Sequence, residues 1–125
     1  MADRHRQSAF ADFVLEQMAD VPDVAKRSMF GGFGIYRSGL MFALIANEQL
    51  YFKADEMLAQ EFTAMDLPPF VYTGKNGSTA LKYHLAPEAV FEEAEQMARG
   101  SDKAYQCAVR AAAEKAAPKI RRSKR

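Results

Sequence analysis

Few residues in this 125-residue chain can do acid–base, nucleophilic or metal chemistry. It has two histidines and one cysteine. His5 stands near the N-terminus, and His84 follows Tyr83 at the end of a strand-like stretch. A metal centre needs three or four converging ligands, and neither residue type recurs at ligand spacing. Glu92, Glu93 and Glu95 cannot all face one ion from a helix, so they read as a solvated surface. Cys107 sits among alanines with no base nearby in sequence, which favours a buried, inert thiol over a nucleophile. We expect no catalytic residue, no metal and no cofactor.

Gly31-Gly32-Phe33-Gly34 invites a phosphate-loop reading, and the surrounding sequence refuses it. A dinucleotide fingerprint wants a third glycine where Arg37 stands, and a helix where strand-forming residues follow. The glycines instead predict a bulge or a close backbone approach within a sheet. The basic residues are the remaining candidates. Lys119, Arg121, Arg122, Lys124 and Arg125 put five cations in the last seven positions. Without them the chain has 12 basic and 16 acidic residues, a charge of −4 against +1 for the whole. Such a tail can attract phosphates in a salt-dependent, sequence-blind way, though it holds no aromatic to stack on bases. A solubilising end is the plainer reading. Lys26-Arg27 is too small to be a patch alone.

The elements that must position these residues follow from periodicity. Phe10, Phe13, Val14 and Met18 give a helix over 6–20 one apolar face, and Pro22 ends it. From 28 the period changes. Strands over 29–37, 40–46 and 50–53, with Ser38-Gly39 as a turn, predict a three-strand antiparallel meander. Its middle strand is apolar on both faces, so both should be covered. Asp55 caps a second helix over 55–65, with Leu58, Phe62 and Met65 as its apolar stripe. Asn76-Gly77 joins a second hairpin, 70–73 with 78–84. Pro87 opens a third helix carrying Val90, Phe91, Ala94, Met97 and Ala98. Gly100 reads as its C-cap and Ser101 as the N-cap of a fourth, alanine-rich helix to 116.

The predicted class is α+β, with an antiparallel sheet in the order α-β(3)-α-β(2)-α(α). One domain spans 1–116, and 117–125 is expected to be a disordered basic tail. The six methionines at 18, 29, 41, 57, 65 and 97 fall in apolar patterns and read as core filler. Met57 and Met65 would form a partner surface only if the second helix were exposed. Twenty-two alanines keep the core modest, and nine phenylalanines supply much of its bulk. One cysteine excludes an internal disulfide, and the first residues lack an apolar signal core. These features point to the cytoplasm and to no membrane.

Arg27-Ser28-Met29-Phe30-Gly31-Gly32-Phe33-Gly34, then Gly39-Leu40-Met41-Phe42 and Leu50-Tyr51-Phe52-Lys53, resemble the signature of the TfoX (Sxy) N-terminal domain family. Pro69-Phe70-Val71-Tyr72 and Leu81-Lys82-Tyr83 are similar to its second hairpin. The resemblance covers roughly 8–100. It implies the same element order and a fold related to secretion chaperones, which dimerise and bind extended partner segments. It also implies a non-enzymatic regulatory or adaptor role, since the family includes positive regulators of genes for DNA uptake. Longer members carry a second, helical domain, and this chain reads as a single-domain member. The motif falls on Arg27, Met29, Phe30, Gly31, Gly32, Gly34, Lys53 and Tyr83, and the resemblance attaches no catalytic role to them. Arg27 and Lys53 either pair with carboxylates or bind a ligand. Tyr83 and His84 could complete a pocket at the same sheet end. The expected partner is a protein or a second copy, with nucleic acid at the tail as the alternative. A small-molecule pocket or enzyme near Arg27, Lys53 and His84 is the third reading.

Overall fold

The apolar stretch Leu40–Ala46 has no polar side, and two-sided burial requires a neighbour on each edge and a cover on each face. The fold supplies both edge neighbours and a helical cover on one face; on the other face, where a cover was also expected, only strand side chains pack around Leu44 and Ala46. The computed structural model describes residues 2–29 and 31–116, and only the backbone of residues 2–5 and 7. Phe30 and the tail cations Lys119, Arg121, Arg122, Lys124 and Arg125 lie outside the described residues. The elements are α1 (Ala2–Gln17), β1 (Val24–Met29), β2 (Gly32–Arg37), β3 (Leu40–Ala46), β4 (Gln49–Lys53), α2 (Glu56–Ala64), β5 (Pro69–Gly74), β6 (Gly77–Leu85) and α3 (Ala94–Ala116). A 3-10 turn, Glu88–Phe91, precedes α3. The six strands form one antiparallel sheet in the order β1-β2-β3-β4-β6-β5. The α+β class holds, with six strands where five were predicted.

The extra strand is β1. Met29 pairs with Gly32 and Arg27 with Gly34, so the strand read over 29–37 splits into the last residue of β1, a turn and β2, and most of β1 precedes it. Gly31, at φ +75°, takes the left-handed conformation that the reversal needs. Two further tight turns take the same left-handed conformation, at Gly39 and Asn47 as glycine and asparagine favour and at Ser38 and Glu48 against their usual preference. Ser38 and Gly39 have φ +50° and +84°, and Asn47 and Glu48 have +54° and +58°. Positive φ at both central residues is the hairpin turn that suits strand twist.

The second correction concerns the C-terminal half. Gly100 neither caps nor breaks a helix: α3 runs unbroken through it. A Cβ at Gly100 would stand 2.9 Å from the Phe52 ring and 3.4 Å from Val90. The missing side chain is the space into which Phe52 packs. Ser101, read as a cap, is fully buried within α3. Pro87 precedes the 3-10 turn rather than a long helix, and Val90 and Phe91 belong to that turn.

Two apolar clusters lie on opposite sides of the sheet. The larger joins Ala11, Val14 and Met18 of α1, Leu58 and Phe62 of α2, and Met97, Ala104 and Cys107 of α3 to Ile35, Phe42, Ile45 and Phe52 of the strands. Burying a side chain the size of Phe42 or Phe52 contributes about 1.5–3 kcal/mol. The smaller cluster contains strand residues alone: Leu44, Ala46, Tyr51 and Phe70, with Met29, Met41, Tyr83 and neighbours packed around them. The helices therefore cover one face only. A register shift between Ile35 and Tyr36 leaves Phe42 as an extra residue in β3. It lets Phe42 and Ala43 both serve the helix-covered core. Met57 and Met65, expected in the core, are 75% and 52% exposed. Only Leu58 and Phe62 of α2 turn inward.

Candidate functional site

Alternation along a strand sends neighbouring side chains to opposite faces, and this sorts the motif residues. Lys26 and Arg27 separate in this way. Lys26 turns toward the helices, 2.6 Å from Asp12 of α1. Arg27 faces the helix-free side, its guanidinium carbon 5.3 Å from the centre of the Tyr36 ring. Lys53 and Tyr83 are register partners on β4 and β6. The Lys53 Nζ lies 5.0 Å from the Tyr83 ring centre. The Tyr83 hydroxyl donates to the Met41 carbonyl at 3.5 Å. Burial, with a smaller contribution from Tyr36, pushes the Tyr83 phenol up to about 12. The helix-free face thus carries two cation–tyrosine pairs, with Met41 on the strand between them and the Met29 and Met41 sulfurs meeting over Gly34.

Each described motif glycine has its own reason. A Cβ on Gly32 would stand 2.0 Å from the Ile45 carbonyl oxygen, so backbone meets backbone there. A Cβ on Gly34 would meet the Met29 and Met41 sulfurs at 2.8 and 2.9 Å and the Tyr36 ring at 3.1 Å. Gly34 is the floor on which the methionines and Tyr36 converge. The predicted close backbone approach is at Gly32. The irregularity in pairing falls instead between β2 and β3, beyond the glycines.

His84 does not join Tyr83. It pairs with Phe52, is buried on the helix side, and stacks on Phe62 with ring centres 5.7 Å apart. Its Nδ1–H donates to the Leu67 carbonyl at 2.8 Å. Adjacent strand positions point opposite ways, so a pocket shared by Arg27, Lys53 and His84 is ruled out by geometry. Cys107 is buried as expected, and burial is the main cause that pushes its thiol up.

Sequence reading missed what surrounds that thiol. Asp55 caps α2 by accepting the Leu58 N–H at 3.0 Å. Its second oxygen lies 2.6 Å from Arg110 Nη2, which is also 3.4 Å from the Cys107 sulfur. The Leu58 hydrogen bond first, then Arg110, holds the Asp55 carboxyl below its usual range. Fifty-five positions separate Asp55 from Arg110, so no local signal announced the pair. Among the described residues, no three of His, Cys, Asp and Glu gather as metal ligands.

Two open grooves flank α3. One of about 560 Å³ lies between α2 and α3 and includes Asp55, Glu61, Asp102, Lys103 and Arg110. The other, about 770 Å³, lies where the last turns of α3 pass the strand ends and includes Lys53, Lys82, Tyr83 and Lys115. Burial foremost, then the neighbouring Lys82 and Lys115 charges, pulls the Lys53 ammonium below its usual value, and Cys107 opposes this. No helix among the described residues is long and apolar enough to cross a membrane.

A one-sided sheet with helices on its back and cation–tyrosine pairs on its front defines an α+β domain with an open sheet surface. The family model of the TfoX N-terminal domain matches residues 16–108, and the chain belongs to that family. Membership supports a regulatory or adaptor-type domain in general. No curated protein matches the chain.

Proposed function

We propose that this chain is a non-enzymatic adaptor domain in gene regulation that holds a protein partner against its helix-free sheet face. The observation that carries this reading is the gathering of Arg27, Met29, Gly34, Lys53 and Tyr83 on that one face. Methionines adapt to irregular partners, and cations over tyrosine rings anchor side chains that would otherwise sweep through solvent. The family's competence regulators supply the setting of transcription control, and the cytoplasm is its natural compartment. His84 and Cys107 are committed to packing, which favours binding over catalysis.

The test is affinity capture of the tagged full chain from its own cells, with partners quantified. Wild type should retain a stoichiometric protein partner, whether another protein or a second copy. Arg27→Glu, at an exposed position of the face, should lose it. Glu93→Lys, at an exposed position before α3, should keep it. Retention of the same partner by Arg27→Glu would reject the sheet face as the interface. Absence of any stoichiometric partner would reject the adaptor reading.

A further inference from the structure

The two walls of the α2–α3 groove differ in kind. Met57 and Glu61 of α2 and Met65 at its C-cap stand four positions apart, which puts them on one stripe. The two methionines are the most exposed large apolar side chains among the described residues. Arg99, Lys103 and Arg110 form the facing, basic stripe of α3. The cavity of about 560 Å³ that Met57 lines adjoins a smaller one of about 120 Å³ that Met65 lines. Leu58, Glu61 and Lys103 line both, and the buried Phe52 and Phe62 floor the second.

Most of the charges here are held within the chain. Arg99 lies 3.0 Å from Glu95, Arg110 lies 2.6 Å from Asp55, and Asp102, also on the α3 wall, lies 3.7 Å from Arg37. Glu61 and Lys103 have no opposite charge within 4.0 Å among the described residues. Unpaired charges are common on surfaces, and these two gain meaning from their stripes. Glu61 sits midway along an apolar stripe on one wall, and Lys103 lies in a basic stripe on the other. Each stripe complements the other, and every molecule carries both. A two-fold axis through the groove lays α2 of each copy along α3 of the other, so that Glu61 meets Lys103 twice. The methionines then rest on the alkyl stems of Arg99, Lys103 and Arg110, whose charged heads stay in water. A foreign helix would need this pattern by coincidence, whereas a second copy has it by construction. We infer that the α2–α3 groove is a self-association surface, filled by the same groove of a second copy around a two-fold axis. The helix-free face lies on the other side of the sheet and stays open in such a dimer.

Sedimentation equilibrium of the full chain over a concentration series tests this. Wild type should form a dimer that weakens as salt rises. Glu61→Lys and Lys103→Glu each bring like charges together twice, and each should weaken the dimer by about tenfold or more. Mixing the two variants should yield a heterodimer, since one then carries lysine at both positions and the other glutamate at both. Glu61→Lys with Lys103→Glu in one chain should dimerise like wild type. Met57→Lys should weaken the dimer, and Gln60→Lys, exposed on α2 outside the groove, should not. Arg27→Glu, on the helix-free face, should leave the dimer intact, which separates this surface from the partner-binding one. All these positions are exposed, so the fold should survive, and circular dichroism checks this. A wild type that stays monomeric at every concentration would overturn the assignment and leave the groove to a foreign helix. So would single variants that dimerise like wild type, a mixture that forms no heterodimer, or an equal loss in Gln60→Lys or Arg27→Glu.

Discussion

Gly32 and Gly34 stand two positions apart in one strand and answer to different forces. At Gly32 the obstacle to a side chain is the backbone of β3, which cannot move without breaking the ladder. At Gly34 the obstacles are two methionine sulfurs and a tyrosine edge, which can move. Gly32→Ala should therefore destabilise by about 3 kcal/mol or more, and Gly34→Ala by about 1 kcal/mol. Urea unfolding of the two variants measures the difference. Equal costs would mean that the sheet yields at Gly32 as easily as side chains do at Gly34. The motif was legible in the sequence as a motif, and Gly32 and Gly34 were rightly placed in a sheet, whereas Gly31 belongs to the turn between β1 and β2. Which glycine meets backbone and which meets side chains was not legible, because the answer depends on Ile45, Met41 and Tyr36 across two strands.

The elements hold together through a few capped and interlocked ends. Asp55 begins α2 and receives Arg110 from α3, so one carboxylate caps one helix and ties it to another. Asp55→Ala should cost about 1 kcal/mol through the lost cap, and Asp55→Asn should cost less because asparagine also caps. The sign of the pH effect follows from the depressed carboxyl. Its contribution is present above the ordinary value of 3.8 and is lost as pH falls through the lower folded value. Acid titration of stability should show wild type and Asp55→Asn converging at low pH. A constant gap between them would remove the ionised carboxylate as the cause. The Asp55 cap was readable from an aspartate before an apolar stripe. The continuity of α3 was not, because Gly100 carries a local stop signal that packing against Phe52 overrides. β1 escaped reading for a related reason. Val24-Ala25-Lys26-Arg27 has no clean apolar alternation, and pairing with β2 makes it a strand.

At the scale of the molecule, one sheet separates a helix-packed core from a smaller strand-only cluster, and Tyr83 belongs to the second. Its phenol ionises near 12 when folded against an ordinary 10.0. A raised folded value favours the protonated form, so the stability it contributes is complete below pH 10 and lost as pH rises toward 12. Tyrosinate absorbance during alkaline titration should show late-ionising tyrosines, since burial also pushes Tyr51 up, and Tyr83→Phe should remove the latest of them. That variant should also unfold at higher pH than wild type. Normal ionisation of every tyrosine would mean that the helix-free face is open to water around Tyr83.

Composition and local pattern determined much of this protein before any tertiary contact. The α+β class, the hairpin turn at Ser38-Gly39, the Asp55 cap of α2 and the family motif are all written in residues close together in the chain, whereas the second hairpin turns at Lys75-Asn76, one position before the predicted Asn76-Gly77. Tertiary structure decided what faces what. Arg27 parts from Lys26, Tyr83 parts from His84, and Lys53, Lys82 and Lys115 meet in one groove. The physical reason is the two-residue period of a strand. A shift of one position moves a side chain to the opposite face, and only the pairing of distant strands sets that register.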